Sequence, residues 1–201
     1  MSKSQPSEAV EPVSAIRKRI AKYMAQALGG TPRVDRYYDP GEKNSVDILR
    51  CKERPSIGVN AYGTIGLSDS PLMFRGEEYP SRIELVGACA SGFEAFANVL
   101  ATAAFHVAKD GFFCAPGVVF PDVFAEYHPS GAMKHLYFMP PFLWEGLKTL
   151  EIDGRTVAWL MAIPISHAES SIAVEEGPVE LERRFERAQI DFFDPDRPSI
   201  V

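Results

Sequence analysis

The sequence predicts an α/β fold of the α+β kind, in which a mixed, mostly antiparallel central sheet is flanked by helices. Three observations predict it. Two S-x-x-E pairs, Ser91/Glu94 and Ser166/Glu169, stand where capping boxes open helices. Several runs rich in β-branched and aromatic residues are separated by Gly and Pro breaks. Asp153-Gly154 joins two such runs, and that dipeptide suits a type I′ turn, which needs φ > 0 at both central residues.

Residues 1–13, rich in Ser, Pro and Glu, read as a disordered lead. Residues 14–201 then form a single domain. Ser14 caps a helix running to about Leu28, because Ile16, Ile20, Tyr23, Met24 and Ala27 recur at helical spacing. Gly29-Gly30 ends it and Pro32 prevents its return. Three strands follow, within "VDRYYD", "SVDILRCKE" and "IGVNAYGTIGLSD". In the second, Val46 and Ile48 face one way while Asp47, Leu49 and Cys51 face the other, so both faces are partly covered. "SPLMFRGEEYPS" reads as a loop and "RIELVGAC" as the next strand. Ser91 then opens a helix to about Asp110. Phe93, Phe96, Leu100, Ala104 and Val107 line its apolar face, and Glu94, Asn98, Thr102 and His106 form a narrow polar stripe. Four more strands are expected in "DVFAEYH", "KHLYFMPPFLW", "LKTLEI" and "RTVAWLMAIPI". The two-residue turn pairs Ile152 with Arg155, Leu150 with Val157 and Leu147 with Leu160. Pro164 should end its strand or lie at an edge, since it has no N–H to donate. Ser166 opens a helix to about Glu176. A last helix, near Val179 to Gln189, presents Leu181, Phe185 and Ala188. The tail is extended and rich in turns.

Charge and composition narrow the function. A formal net charge of -6 disfavours nucleic-acid binding, which needs a basic footprint. No apolar run is long enough to span a membrane, and the N-terminus lacks the apolar core of a secretory signal, so a cytoplasmic protein is expected. Cys51, Cys89 and Cys114 are far apart without C-x-x-C spacing, which fits buried free thiols better than zinc ligands or disulfides.

The chemistry-bearing motifs are thin. "GTIGLSDSP" places Ser68 behind Gly66-Leu67, as in a nucleophile elbow, but Ser70 replaces the closing glycine and Pro71 forbids the helix. Ser68, Asp69 and Ser70 therefore read as turn residues. His106, His128, His135 and His167 show no short-spaced ligand set, so no metal is expected. Asp39, Asp69, Glu84 and Asp194 could meet only in space, which their spacing does not show. "GACASG" lies between a strand and a helix and reads as a connector, with Glu94 opposing an anion there. No phosphate-binding loop occurs, and no catalytic, cofactor or metal residues are assigned. The aromatics of "YFMPPFLWEG" are core or a sticky groove.

"GTIGLSD", "RIELVGAC", "PPFLWEGLKTLEIDGRTVAWLMAIPISHAE" and "IDFFDPDRPSIV" together resemble the suppressor of fused domain in its bacterial form, from about Tyr62 to the end. The resemblance rests on the GLSD corner, the strand ending in Pro-Ile before an acidic helix start, and the closing D-P-x-R. It implies a mixed α/β sheet domain without enzymatic activity. Animal relatives hold an extended peptide beside sheet strands and carry a second domain that is not expected here. Bacterial relatives include proposed immunity proteins that neutralise toxin domains. A protein partner is thus expected, a toxin domain with a basic patch, met by Ser68, Asp69, Glu77, Glu78, Trp144, Trp159 and the strand edge near Pro164. No cofactor is expected, and no motif sets an oligomeric state. The alternative is a small hydrolase or isomerase using a carboxylate or His128 in a cleft.

Overall fold

A computed structural model describes residues 14–201; the expected lead, residues 1–13, lies outside the described residues. Helix α1 spans Ala15–Leu28, with the Ser14 side chain accepting the Arg17 N–H at its start. Strands β1 (Pro32–Tyr38), β2 (Ser45–Cys51) and β3 (Val59–Ile65) follow, then a 3₁₀ turn at Leu67–Asp69. A small hairpin, β4 (Met73–Phe74) and β5 (Glu77–Glu78), precedes β6 (Ser81–Ala90) and helix α2 (Phe96–Ala108). The second half holds β7 (Val119–Phe120), β8 (Met133–Met139), β9 (Leu150–Ile152) and β10 (Arg155–Ser166). Helices α3 (His167–Glu175) and α4 (Pro178–Ala188) close the chain.

The sheet has eight strands in the order β1-β2-β3-β6-β10-β8-β7, with β9 also on β10. Every pairing is antiparallel except β6 with β10. Two cores lie on its two faces. On one, Phe96, Leu100 and Ala104 of α2 pack over Val46, Ile48, Tyr62 and Leu85. On the other, Ile20 and Met24 of α1, with Ile172, Leu181 and Phe185 of α3 and α4, pack over Leu49, Cys51, Ala61 and Val86. The alternation read in β2 thus sends Val46 and Ile48 to one core and Leu49 and Cys51 to the other. The three cysteines are buried free thiols.

Several sequence expectations change. Ser91 and Glu94 do not cap α2. The Ser91 N–H donates to the Gly58 carbonyl, the chain turns at Phe93, and the helix begins at Phe96 behind Ala95, which offers no capping side chain. The end of β6 is tied to the β2–β3 connection and cannot turn into a helix that early. "DVFAEYH" is a run of turns, not a strand: Val123 and Phe124 are both buried in the α2 core, whereas a strand would send them to opposite faces. The loop 70–81 contains the β4–β5 hairpin, too short to show a period. Ile152 pairs Arg155 and Leu150 pairs Val157 as expected, but Leu147 does not join. From Met161 onward β8 occupies that side of β10. Pro164 lies inside β10 opposite Leu136, and its carbonyl accepts from Arg197 Nη2 at 3.1 Å. The missing N–H is harmless there because β6 pairs β10 only as far as Met161. Among the described residues the sheet ends at β1 and β7, and β9 is a further edge beside β10. Ala188 is exposed, so α4 buries only Leu181 and Phe185.

Candidate functional site

The GLSD corner is built around Glu84, which projects from β6 and is fully buried. Its Oε1 accepts from the Gly66 N–H at 2.9 Å, the Ser68 N–H at 3.2 Å and the Ser68 hydroxyl at 2.7 Å. Its Oε2 accepts from the Thr64 hydroxyl at 2.6 Å. Gly66 adopts φ 101°, which turns the chain so that its N–H meets the carboxylate. Burial pushes Glu84 up to about 7, partly offset by the bonds from Thr64, Ser68 and Gly66. Ser68 is thus a structural donor, 2% exposed, its hydroxyl committed to the buried Glu84 carboxyl. Asp69 accepts from Arg17 Nε at 2.6 Å and fastens the corner to α1.

The closing D-P-x-R has a similar role. Arg197 donates two bonds to Glu169, at 2.6 and 2.7 Å, with both residues buried. Glu169 also accepts the Ser166 N–H, completing the expected capping box of α3. The tail is thereby latched to the start of that helix.

The histidines and carboxylates do not converge on a reaction centre. His128 bonds Asp196 in the tail, His106 bonds Asp110, and Asp39 is held by Asn44 and Lys109. Asp122, His135 and His167 offer ligand atoms within 4.8 Å of one another. Proton counting opposes a metal there. His135 Nδ1 accepts the Asp122 N–H at 2.8 Å, so its proton sits on Nε2 and is donated to His167 Nδ1 at 2.7 Å. A metal on Nε2 would place that proton on Nδ1, against the Asp122 N–H.

Of the residues expected to meet a partner, Ser68, Trp144 and Trp159 are buried, while Glu77 and Glu78 are exposed on the hairpin and the Asp69 side chain is 35% exposed. Trp159 Nε1 donates to the Lys148 carbonyl and its ring stacks on Tyr23. Sequence reasoning missed the most open feature, strand β1. It pairs with β2 alone among the described residues, leaving its outer backbone groups free. It also overhangs both helical layers. On the α1 side, Val34 and Pro32 border an open trough with Ala21, Ala25 and Leu49, of about 640 Å³. On the α2 side, Tyr37 borders a second concavity of about 530 Å³. The far wall of that concavity is Asn98, Thr102 and His106, three members of the polar stripe read from the sequence. The stripe was the signal for this surface. An extended segment laid along β1 would find free main-chain groups and recesses on both faces, where alternate side chains go.

The comparisons with known proteins agree with this architecture. The family model described as suppressor of fused protein matches residues 42–198. The chain is 42% identical over 190 residues to the immunity protein YqcF of Bacillus subtilis (strain 168), covering 94% of this chain and 99% of that protein. A putative suppressor of fused homologue from Neisseria gonorrhoeae superposes with a TM-score of 0.67 at 14% identity, covering 92% of this chain and 97% of that one. A chain of the Sufu–Fu complex gives a TM-score of 0.67 at 13% identity, covering 92% of each chain. The family match takes in the Glu84 corner and the Arg197 latch alike, and on that span this chain belongs to the suppressor of fused protein family.

Proposed function

We propose that this protein is a non-catalytic immunity protein that binds and neutralises a toxin domain in the cytoplasm of the cell that makes it. The observation that carries the reading is the 42% identity, across nearly the whole of both chains, to a protein named as an immunity protein. The hydrolase alternative needs Asp69 and His128 in one cleft. Asp69 instead sits beside Arg17, and His128 beside Asp196. No helix among the described residues is long and apolar enough to cross a membrane.

The partner is a protein with a basic patch. The net charge of -6 supports it, as do Glu77 and Glu78 on the exposed hairpin. The strand-addition edge is β1, in place of the edge expected at Pro164. The test is co-expression with toxin domains encoded beside the gene for this chain, followed by growth assays and purification of the complex. Rescue with a stoichiometric complex is expected. Rescue without complex formation, or a modified toxin recovered from the cell, would overturn the non-catalytic reading.

A further inference from the structure

The concavity between β1 and α2 has a lining that specifies what enters it. Three carboxylates, Asp39, Asp110 and Glu126, face it against a single lysine, Lys109. Lys109 lies 3.3 Å from Asp39, which spends the one cation on a buried acid. Asp110 holds only His106 Nδ1, at 2.8 Å, and Glu126 has no cationic partner among the described residues. Two acids are therefore left facing an open recess. The remaining wall is aromatic. Tyr37 projects from β1 onto the α2 side and is partly buried there, and Tyr127 is fixed by a 2.6 Å bond between its hydroxyl and that of Thr102. Carboxylates beside fixed aromatic faces suit one chemical class, an organic cation that stacks and donates together.

We infer that this concavity receives an arginine side chain of the protein partner. The inference rests on the protein-binding reading above and names its chemistry. A guanidinium fits better than an ammonium, because its plane stacks on a tyrosine ring while its edge donates to a carboxylate. The position suits strand addition at β1, since Tyr37 belongs to both the edge and the recess. Every second side chain of an added strand would project to the α2 side.

The test needs no partner. The intact protein is titrated with N-acetyl-arginine-N-methylamide and followed by NMR, with the citrulline analogue as the uncharged control. Saturable shifts at the Tyr37 and Tyr127 rings are expected, with a dissociation constant on the order of 10 mM for so small a probe. The citrulline analogue should bind at least about fivefold more weakly, since it keeps the shape and loses the charge. Glu126→Gln should weaken the arginine probe about threefold or more without changing the melting temperature, as Glu126 is exposed. Equal shifts from both probes, shifts mapping elsewhere, or an unaltered Glu126→Gln variant would overturn the inference. A toxin that binds Glu126→Gln as tightly as the wild type would sink this inference while leaving the immunity reading standing. Absence of any toxin complex would sink that reading, whatever the probe does.

Discussion

Glu84 gives the sharpest test of how this fold is held together. The perturbation is Glu84→Gln. In the protonated acid, Oε2–H donates to the Thr64 hydroxyl oxygen, and the Thr64 hydrogen turns toward the Leu85 carbonyl at 3.5 Å. Oε1 keeps its three donors from Gly66 and Ser68. A glutamine amide reproduces that arrangement, with its oxygen at Oε1 and its NH₂ toward Thr64, so the variant mimics the neutral acid at every pH. The wild-type carboxyl titrates near 7 in the fold, against 4.5 as its ordinary value. Between those values the folded state binds more protons than the unfolded, so stability falls as pH rises through the window. At about 1.4 kcal/mol per pH unit, the loss is on the order of 3 kcal/mol. The assay is urea unfolding followed by fluorescence of the buried Trp144 and Trp159, at intervals from about pH 5 to 8. Histidines titrate in the same range, so the quantity that matters is wild type minus Glu84→Gln. That difference should be small at pH 5 and turn against the wild type by on the order of 3 kcal/mol by pH 8. A difference constant across the range would show that Glu84 stays ionised throughout, and the burial argument would fail.

Other substitutions test other parts of the structure. Arg197→Met leaves Glu169 buried without its partner and should cost about 3–5 kcal/mol; a loss below about 1 kcal/mol in urea unfolding would show that the tail is not a latch. A Cβ at Gly63 would lie 2.1 Å from Met24 Sδ. Gly63→Ala should therefore cost about 1–3 kcal/mol, and Met24→Ala in the same chain should recover part of it, which thermal melts of both variants will show. His135 should titrate below the ordinary imidazole range, because burial and then His167 oppose its charge. Its folded pKa being depressed, it withdraws stability as pH falls through the unfolded value, and NMR of the ring protons reads the midpoint directly. Asp69→Ala should lower stability by about 1 kcal/mol, the upper end for an ion pair with a third of the Asp69 side chain exposed; unchanged melting would point to a role for Asp69 at a partner instead. Raising salt from about 0.05 to 0.5 M should slow association with a basic partner severalfold while dissociation changes little. An association rate indifferent to salt would refute steering by the acidic surface.

The sequence by itself determined what depends on neighbours a few residues apart. The α1 stripe, the Ser166/Glu169 box, the Asp153-Gly154 turn and the two-sided burial of β2 are local patterns of period, cap and turn, and each appears in the fold. Local reasoning failed at Ser91 and at "DVFAEYH", where a long-range contact outweighed the pattern: the tie from Ser91 to Gly58 in one case, burial of Val123 and Phe124 against α2 in the other. Tertiary structure alone decided the partners that sit 16 to 32 residues apart, Glu84 with Ser68, Arg197 with Glu169 and His135 with His167. It also decided that β1, not the strand around Pro164, forms an edge. A motif such as GLSD records that a carboxylate is needed somewhere, but not which one. The order of strands in a sheet is set by how the two helical layers close over it. That closure joins distant segments whose pairing leaves no period in the chain.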